Sequence, residues 1–111
     1  MSANLILSEE TISNAIYYIQ NQKVMLDRNL AVLYGIETRV LKQAVKRNIS
    51  RFPGEFMFEL TKLEFENWRS QFVTSNSDKM GLRYAPMAFT EHGILMLSSV
   101  LKSDTAIQTN I

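Results

Sequence analysis

The stretch Leu30-Ala31-Val32-Leu33-Tyr34-Gly35-Ile36-Glu37-Thr38-Arg39-Val40-Leu41-Lys42-Gln43-Ala44-Val45-Lys46-Arg47 constrains the fold more than any other part of the chain. It reads as two short helices joined by a tight turn. Glycine ends a helix at positive φ without a steric penalty, and Gly35 stands where the first helix must stop. Asp27 is the expected N-cap of a helix over 28–34. Thr38 or Glu37 begins the second helix, which is expected to reach about Ile49. Leu41, Ala44, Val45 and Asn48 recur at three- and four-residue steps and mark its inner side. Ala31 has to be small, because the second helix crosses close above it. Ile36, Leu41 and Ala44 lock the second helix against the first, and Leu30 and Tyr34 do so from the other side. This is the build of a helix-turn-helix, whose second helix can enter the major groove of DNA.

That packing leaves Thr38, Arg39, Lys42, Gln43 and Lys46 outward. Arginine and lysine can donate to guanine O6 and N7, and glutamine can pair with adenine N6 and N7, so these five are the candidate base contacts. Thr38, at the helix start, also has backbone N–H groups behind it for a phosphate. Arg47 and Arg51 lie beyond the far end and are candidate phosphate contacts, which position without specifying. Lys79 and Arg83, flanking a polar loop, are two further phosphate candidates. Charge supports the arrangement. From Arg28 to Arg51 six basic residues face one acid, Glu37, a local balance of +5 in a chain whose net charge is only +1. A positive surface on a near-neutral body fits contact with a polyanion. Glu37 is the exception, placed to cap the helix or to pair with Arg39 or Lys42.

The flanking segments carry weaker signals. Residues 1–11 read as a flexible N-terminus, and 12–111 as one domain, the N-terminal part of a longer protein. Residues 9–22 stay ambiguous: Ile12, Ile16 and Ile19 have helical spacing, while Tyr17, Tyr18 and Ile19 also suit a strand. Lys23 to Leu26 fits a short strand. Pro53 and Gly54 close the helix pair. Phe56, Phe58 and Leu60 then alternate with Met57 and Glu59, as a strand does. Thr61, with Glu64 three residues on, forms a capping box for a helix over 62–68, with Leu63, Phe65 and Trp68 as its apolar contacts. Residues 70–74 are expected to form a second strand with Phe72 inward. A hairpin tip follows around 76–81, and a third strand over 82–87, edge-tolerant because of Pro86. Thr90 caps a helix over 91–101 whose Ile94, Leu95, Leu97, Val100 and Leu101 are expected inside. Ser103 opens a last helix over 104–111. The expected fold is α+β: a winged-like helix-turn-helix with a small antiparallel sheet and C-terminal helices, the hairpin at 76–81 being the wing.

Composition removes several function classes. The chain has no cysteine and a single histidine, His92, which excludes disulfides, thiolate chemistry and His-rich metal sites. Phosphate-loop and dinucleotide glycine patterns are missing, with only four glycines present. No cofactor, metal or small-molecule substrate is expected. Glu91 and His92 are adjacent on a helix and do not face each other. Only folded proximity of Asp27, Glu91 and His92 would make an enzyme, and their spacing gives no reason to expect it. The aromatics Phe52, Phe56, Phe58, Phe65, Trp68 and Phe72 read as core. No segment approaches 18 apolar residues, so no membrane span is expected. With no secretion signal, a cytoplasmic location is the expectation.

A long series of blocks resembles a known family. They are Lys23-Val24-Met25-Leu26-Asp27, then residues 30–38, then Val45-Lys46-Arg47-Asn48-Ile49-Ser50-Arg51-Phe52-Pro53. Phe56-Met57-Phe58-Glu59-Leu60-Thr61, residues 69–75, Arg83-Tyr84-Ala85-Pro86, residues 88–93 and Met96-Leu97-Ser98-Ser99-Val100-Leu101 continue the series. The chain resembles the ORF-six N-terminal domain, a relative of the KilA N-terminal domain of phage and bacterial proteins, over 12–111. The resemblance implies a DNA-binding module at the N-terminus of phage or prophage proteins, some of them antirepressors. It places Arg47 to Pro53 in the family's strongest signature, and His92 where relatives often carry glutamine. Two functional readings stand. One is sequence-selective binding of double-stranded DNA by the helix over 38–49, with a homodimer as the expected route to specificity. The other is a protein-interaction module that captures a repressor protein or associates with itself.

Overall fold

The computed structural model describes residues 15–72 and 85–103. The chain opens with a hairpin, β1 (Ile16–Ile19) and β2 (Gln22–Leu26), paired Ile16 to Met25 through Ile19 to Gln22. Its two turn residues, Gln20 and Asn21, have φ of 56° and 62°. Positive φ at both central positions is what a two-residue type I′ turn requires, because its twist matches that of the strands. The strand alternative for Tyr17 to Ile19 therefore prevails over helical spacing.

Helix α1 (Asp27–Tyr34) follows β2 without a linker. The structure corrects its start: Leu26 is the N-cap, and Asp27 lies inside the first turn, buried at 3% exposure. Its side chain is used elsewhere, as described below. Gly35 ends the helix at φ 67°. The Ile36 N–H donates to the Ala31 carbonyl at 3.0 Å, and the Gly35 N–H donates to Val32 at 3.1 Å. These are the two bonds of a Schellman motif, and Ile36 packs on the core that contains Ala31. Helix α2 (Thr38–Arg47) packs on α1 through Leu41, Ala44 and Val45, each at 0% exposure. It stops two residues short of the expected Ile49. The Asn48 side chain donates to the Ala44 carbonyl at 2.9 Å, and a 3-10 turn (Ile49–Arg51) takes over. Tyr34 is partly covered, with 38% of its surface exposed.

β3 (Met57–Glu59) is the strand that the 56–60 alternation announces. Thr61 and Glu64 form the capping box, with N–H to side-chain bonds of 3.1 Å and 2.8 Å. Helix α3 (Lys62–Phe72) runs on through the expected second strand, so residues 70–72 are helical. Contacts one turn apart explain this: the Arg69 guanidinium lies over the Phe65 ring at 5.4 Å, and Ser70 Oγ donates to the Asn67 carbonyl at 3.0 Å. Phe65 and Trp68 are buried, but Leu63 points to solvent. Residues 73 and 74, the expected hairpin tip at 76–81 and most of the strand over 82–87 lie outside the described residues.

The third expected strand is displaced. β4 is Met87–Phe89, and it is central, not an edge: the order is β1-β2-β4-β3, all antiparallel. Pro86 sits just before it and loses nothing, since it contributes a carbonyl to the Leu60 N–H at 3.1 Å. Helix α4 (Glu91–Ser103) is capped by Thr90, whose hydroxyl accepts the Gly93 N–H at 3.3 Å. Leu97, Val100 and Leu101 are buried, Ile94 is partly buried, and Leu95 faces solvent. Ser103 is the last described residue of this helix, and the expected last helix over 104–111 lies outside the described residues.

Alternation sorts the strand residues into two cores. Met25, Met57, Met87 and Phe89 pack with α1, α2 and α4, together with Phe52. Val24, Leu26 and Ala88 face the other way, against Leu60, Phe65 and Trp68 of the α3 segment. The result is an α+β fold with the sheet as its middle layer. Among the described residues no helix is long and apolar enough to cross a membrane.

Candidate nucleic-acid interface

Because Leu41, Ala44 and Val45 point α2 inward, its other side is turned outward, and the structure gathers the predicted residues there. Thr38, Arg39, Lys42, Gln43 and Lys46 all border one open concavity of about 710 Å³. Arg39, Gln43 and Lys46 are exposed, and Thr38 is half-buried at the helix start. The Arg39 guanidinium is 3.4 Å from the Glu37 carboxylate, both well exposed, so the pair is screened and readily exchanged for another anion. This is the Glu37 pairing anticipated with Arg39. Arg47 and Arg51 are exposed at and just beyond the end of α2 but do not border the concavity. Lys79 and Arg83 lie outside the described residues.

The concavity also contains residues that sequence reasoning did not assign to it. Arg28 and Val32 enter from α1, and Glu59 and Pro86 from the β3–β4 side. Arg28 adds a fourth basic residue to Arg39, Lys42 and Lys46. Its guanidinium sits 5.7 Å above the Trp68 ring, a cation–π contact that limits where it can reach. Its place in the basic run from Arg28 to Arg51 was the available signal. Glu59 had none, since β3 reaches the site only through the sheet order.

Asp27 forms the floor. Its Oδ1 accepts the Arg28 N–H at 2.6 Å, its Oδ2 accepts the Met87 N–H at 3.0 Å, and Lys42 Nζ lies 3.8 Å from Oδ2. The register explains the Met87 bond. Leu26 pairs with Ala88, so the next position opposite Met87 belongs to Asp27. There the chain turns into α1, and the Asp27 side chain takes the strand's N–H instead. Burial pushes the Asp27 carboxyl above its ordinary value, while the Met87 N–H, Lys42 and Arg28 pull it back in part. Lys42 is the least exposed basic side chain of α2, at 20%.

Asp27, Glu91 and His92 do not build a metal centre: among the described residues no group of three suitable side chains could hold an ion. His92 is exposed and stacks on Phe56 at 5.8 Å. The chain has no significant match among curated proteins or solved structures. The family model for the ORF6N domain matches residues 14–100, a span that takes in the helix pair, every described strand and most of α4. With that match over most of its length, the chain belongs to the ORF6N domain family.

Proposed function

We propose that this chain is a sequence-selective double-stranded DNA-binding module of a phage or prophage regulatory protein of the antirepressor type, with α2 as its reading helix. The observation that carries the proposal is the convergence of Thr38, Arg39, Lys42, Gln43 and Lys46 on one open, basic side of a single helix. Membership of the ORF6N family is consistent with phage-type regulatory proteins. In this reading Arg39, Lys42, Gln43 and Lys46 meet base edges from the outer side of α2. Thr38 joins them at the helix start. Arg47 and Arg51 grip phosphates at and just beyond the helix end, and Lys79 and Arg83 are assigned the same role. The module binds and does not catalyse.

Fluorescence anisotropy against random and genomic duplex pools at several salt concentrations tests this. Expected is binding that weakens with salt and is lost in the double variant Arg47→Ala, Arg51→Ala. A folded protein that binds no duplex at low salt would overturn it. The rival reading, a protein-interaction module that captures a repressor, draws support from the acids at the same site: Glu59 lines the concavity and Glu37 flanks it. That mixed lining also suits a protein surface. Capture of a purified repressor, unaffected by loss of Arg47 and Arg51, would favour it.

A further inference from the structure

We propose that Asp27 is a positioning residue for the reading helix: its carboxylate holds the Lys42 ammonium at one place in the concavity and so makes Lys42 selective for a base edge. The inference rests on the duplex-binding reading above.

Both oxygens of Asp27 are tied to backbone, Oδ1 to the Arg28 N–H and Oδ2 to the Met87 N–H. The carboxylate is therefore fixed to the backbone of the start of α1 and of the central strand β4. Lys42 reaches down to it from α2, with Nζ 3.8 Å from Oδ2. A buried carboxylate is costly without a cation nearby, which gives Lys42 a reason to stay. The contrast along α2 is direct. Arg39, Gln43 and Lys46 are exposed, whereas the Lys42 side chain is 20% exposed and still borders the concavity.

Lysine ordinarily presents a point charge on a flexible four-carbon stem. Unrestrained, it settles on the nearest phosphate and contributes affinity without selectivity. Held in place, it can favour the acceptor pair of guanine over other base edges. The Asp27–Lys42 pair thus converts a sequence-indifferent cation into a selective one. It also ties α2 to β4, so the helix meets the groove at one depth.

The test compares the wild type with Asp27→Asn, Lys42→Gln and the double variant, measuring affinity for a selected duplex and for random duplex across a salt series. Asn keeps an oxygen for the Met87 N–H, gives up the acceptor for the Arg28 N–H and removes the charge. Expected in Asp27→Asn is an affinity ratio, selected over random, that falls about tenfold. The salt slope should also steepen by about one unit as Lys42 moves to a phosphate. Lys42→Gln should lower the ratio similarly without steepening the slope, and the double variant should fall no further than Lys42→Gln. A purely structural Asp27 would weaken both duplexes alike; that result, or additive losses, overturns the inference while leaving the DNA reading intact. Wild-type protein that binds no duplex overturns both.

Should Asp27→Asn fail to fold, the pH profile of the wild type replaces it. Among the described residues, the charged groups that line the concavity with the pair are Arg28 of α1, Arg39 and Lys46 of α2, and Glu59 of β3, and β4 supplies none. Discrimination should fall as acid neutralises Asp27, and Lys42→Gln should abolish that dependence. An unchanged dependence in Lys42→Gln overturns the inference.

Discussion

Gly93 of α4 packs directly on the backbone carbonyl of Phe56, so close that a Cβ at Gly93 would overlap the oxygen. The same carbonyl accepts the Thr90 N–H at 3.0 Å, and the Thr90 hydroxyl donates to the Glu55 carbonyl at 2.8 Å. Backbone, not side chain, forms the contact on both sides, which leaves no rotamer to give way. Gly93→Ala should therefore cost about 3 kcal/mol or more, the upper end for an overpacked site. Urea denaturation checks this, and a loss under 1 kcal/mol would mean that α4 can slide away from β3.

Gly35 is a different kind of glycine. No atom lies within 4 Å of a Cβ built there, so only its φ of 67° resists substitution. Gly35→Ala should cost about 1–2 kcal/mol, the left-handed penalty, with the fold kept. Gly35→Asn should cost less, because asparagine tolerates that region. Equal losses from the two would show that strain in φ is not what selects glycine here.

Thr61 is exposed, so its role reduces to the capping box with Glu64. Thr61→Ala should destabilise by about 1 kcal/mol, and Thr61→Ser should restore most of it. Thermal melts of the three proteins decide the matter. Serine no better than alanine would place the effect in the lost methyl group instead.

Asp27 makes a prediction about pH whose sign is set by its burial. Its folded carboxyl titrates above the ordinary value of 3.8, so the native state binds a proton more readily than the unfolded one. Stability from this group is then greatest in acid and declines as pH rises through the window between the ordinary and the raised value. Subtracting the Asp27→Asn curve from the wild-type curve isolates that window. The difference should fall with rising pH and level off above it. A difference that rises instead would mean that Lys42 and the two N–H groups outweigh desolvation.

The assignment of roles on α2 separates in the same binding assay. Arg39→Ala or Gln43→Ala should relax base preference by about 1–3 kcal/mol at one position. Arg47→Ala or Arg51→Ala should weaken all duplexes alike and flatten the salt slope by about one unit each. The same pattern from both pairs would remove the distinction between reading and gripping.

The helix pair was legible in the sequence because its signals are local. Gly35 needs a left-handed turn, Ala31 needs to be small, and Leu41, Ala44 and Val45 fall on one face by spacing alone. The capping residues Thr61 and Thr90 act within one turn of chain and were equally readable. The outward set on α2 followed by subtraction, once the inner face was known. The strand order did not follow in this way. Nothing near Met87 says that it lies between β2 and β3, since β4 pairs with residues more than sixty positions away on the β2 side and about thirty away on the β3 side. For the same reason Asp27 looked like a helix cap. Its neighbours in sequence point to one, but Leu26 takes that position, while the sheet brings the Met87 N–H and α2 brings Lys42 to its carboxylate. Leu63 and Leu95 looked like core for want of the opposite fact, that among the described residues no layer covers their sides of α3 and α4. Short-range sterics and hydrogen bonds thus determined which elements form, while their assembly decided which polar group each buried charge meets.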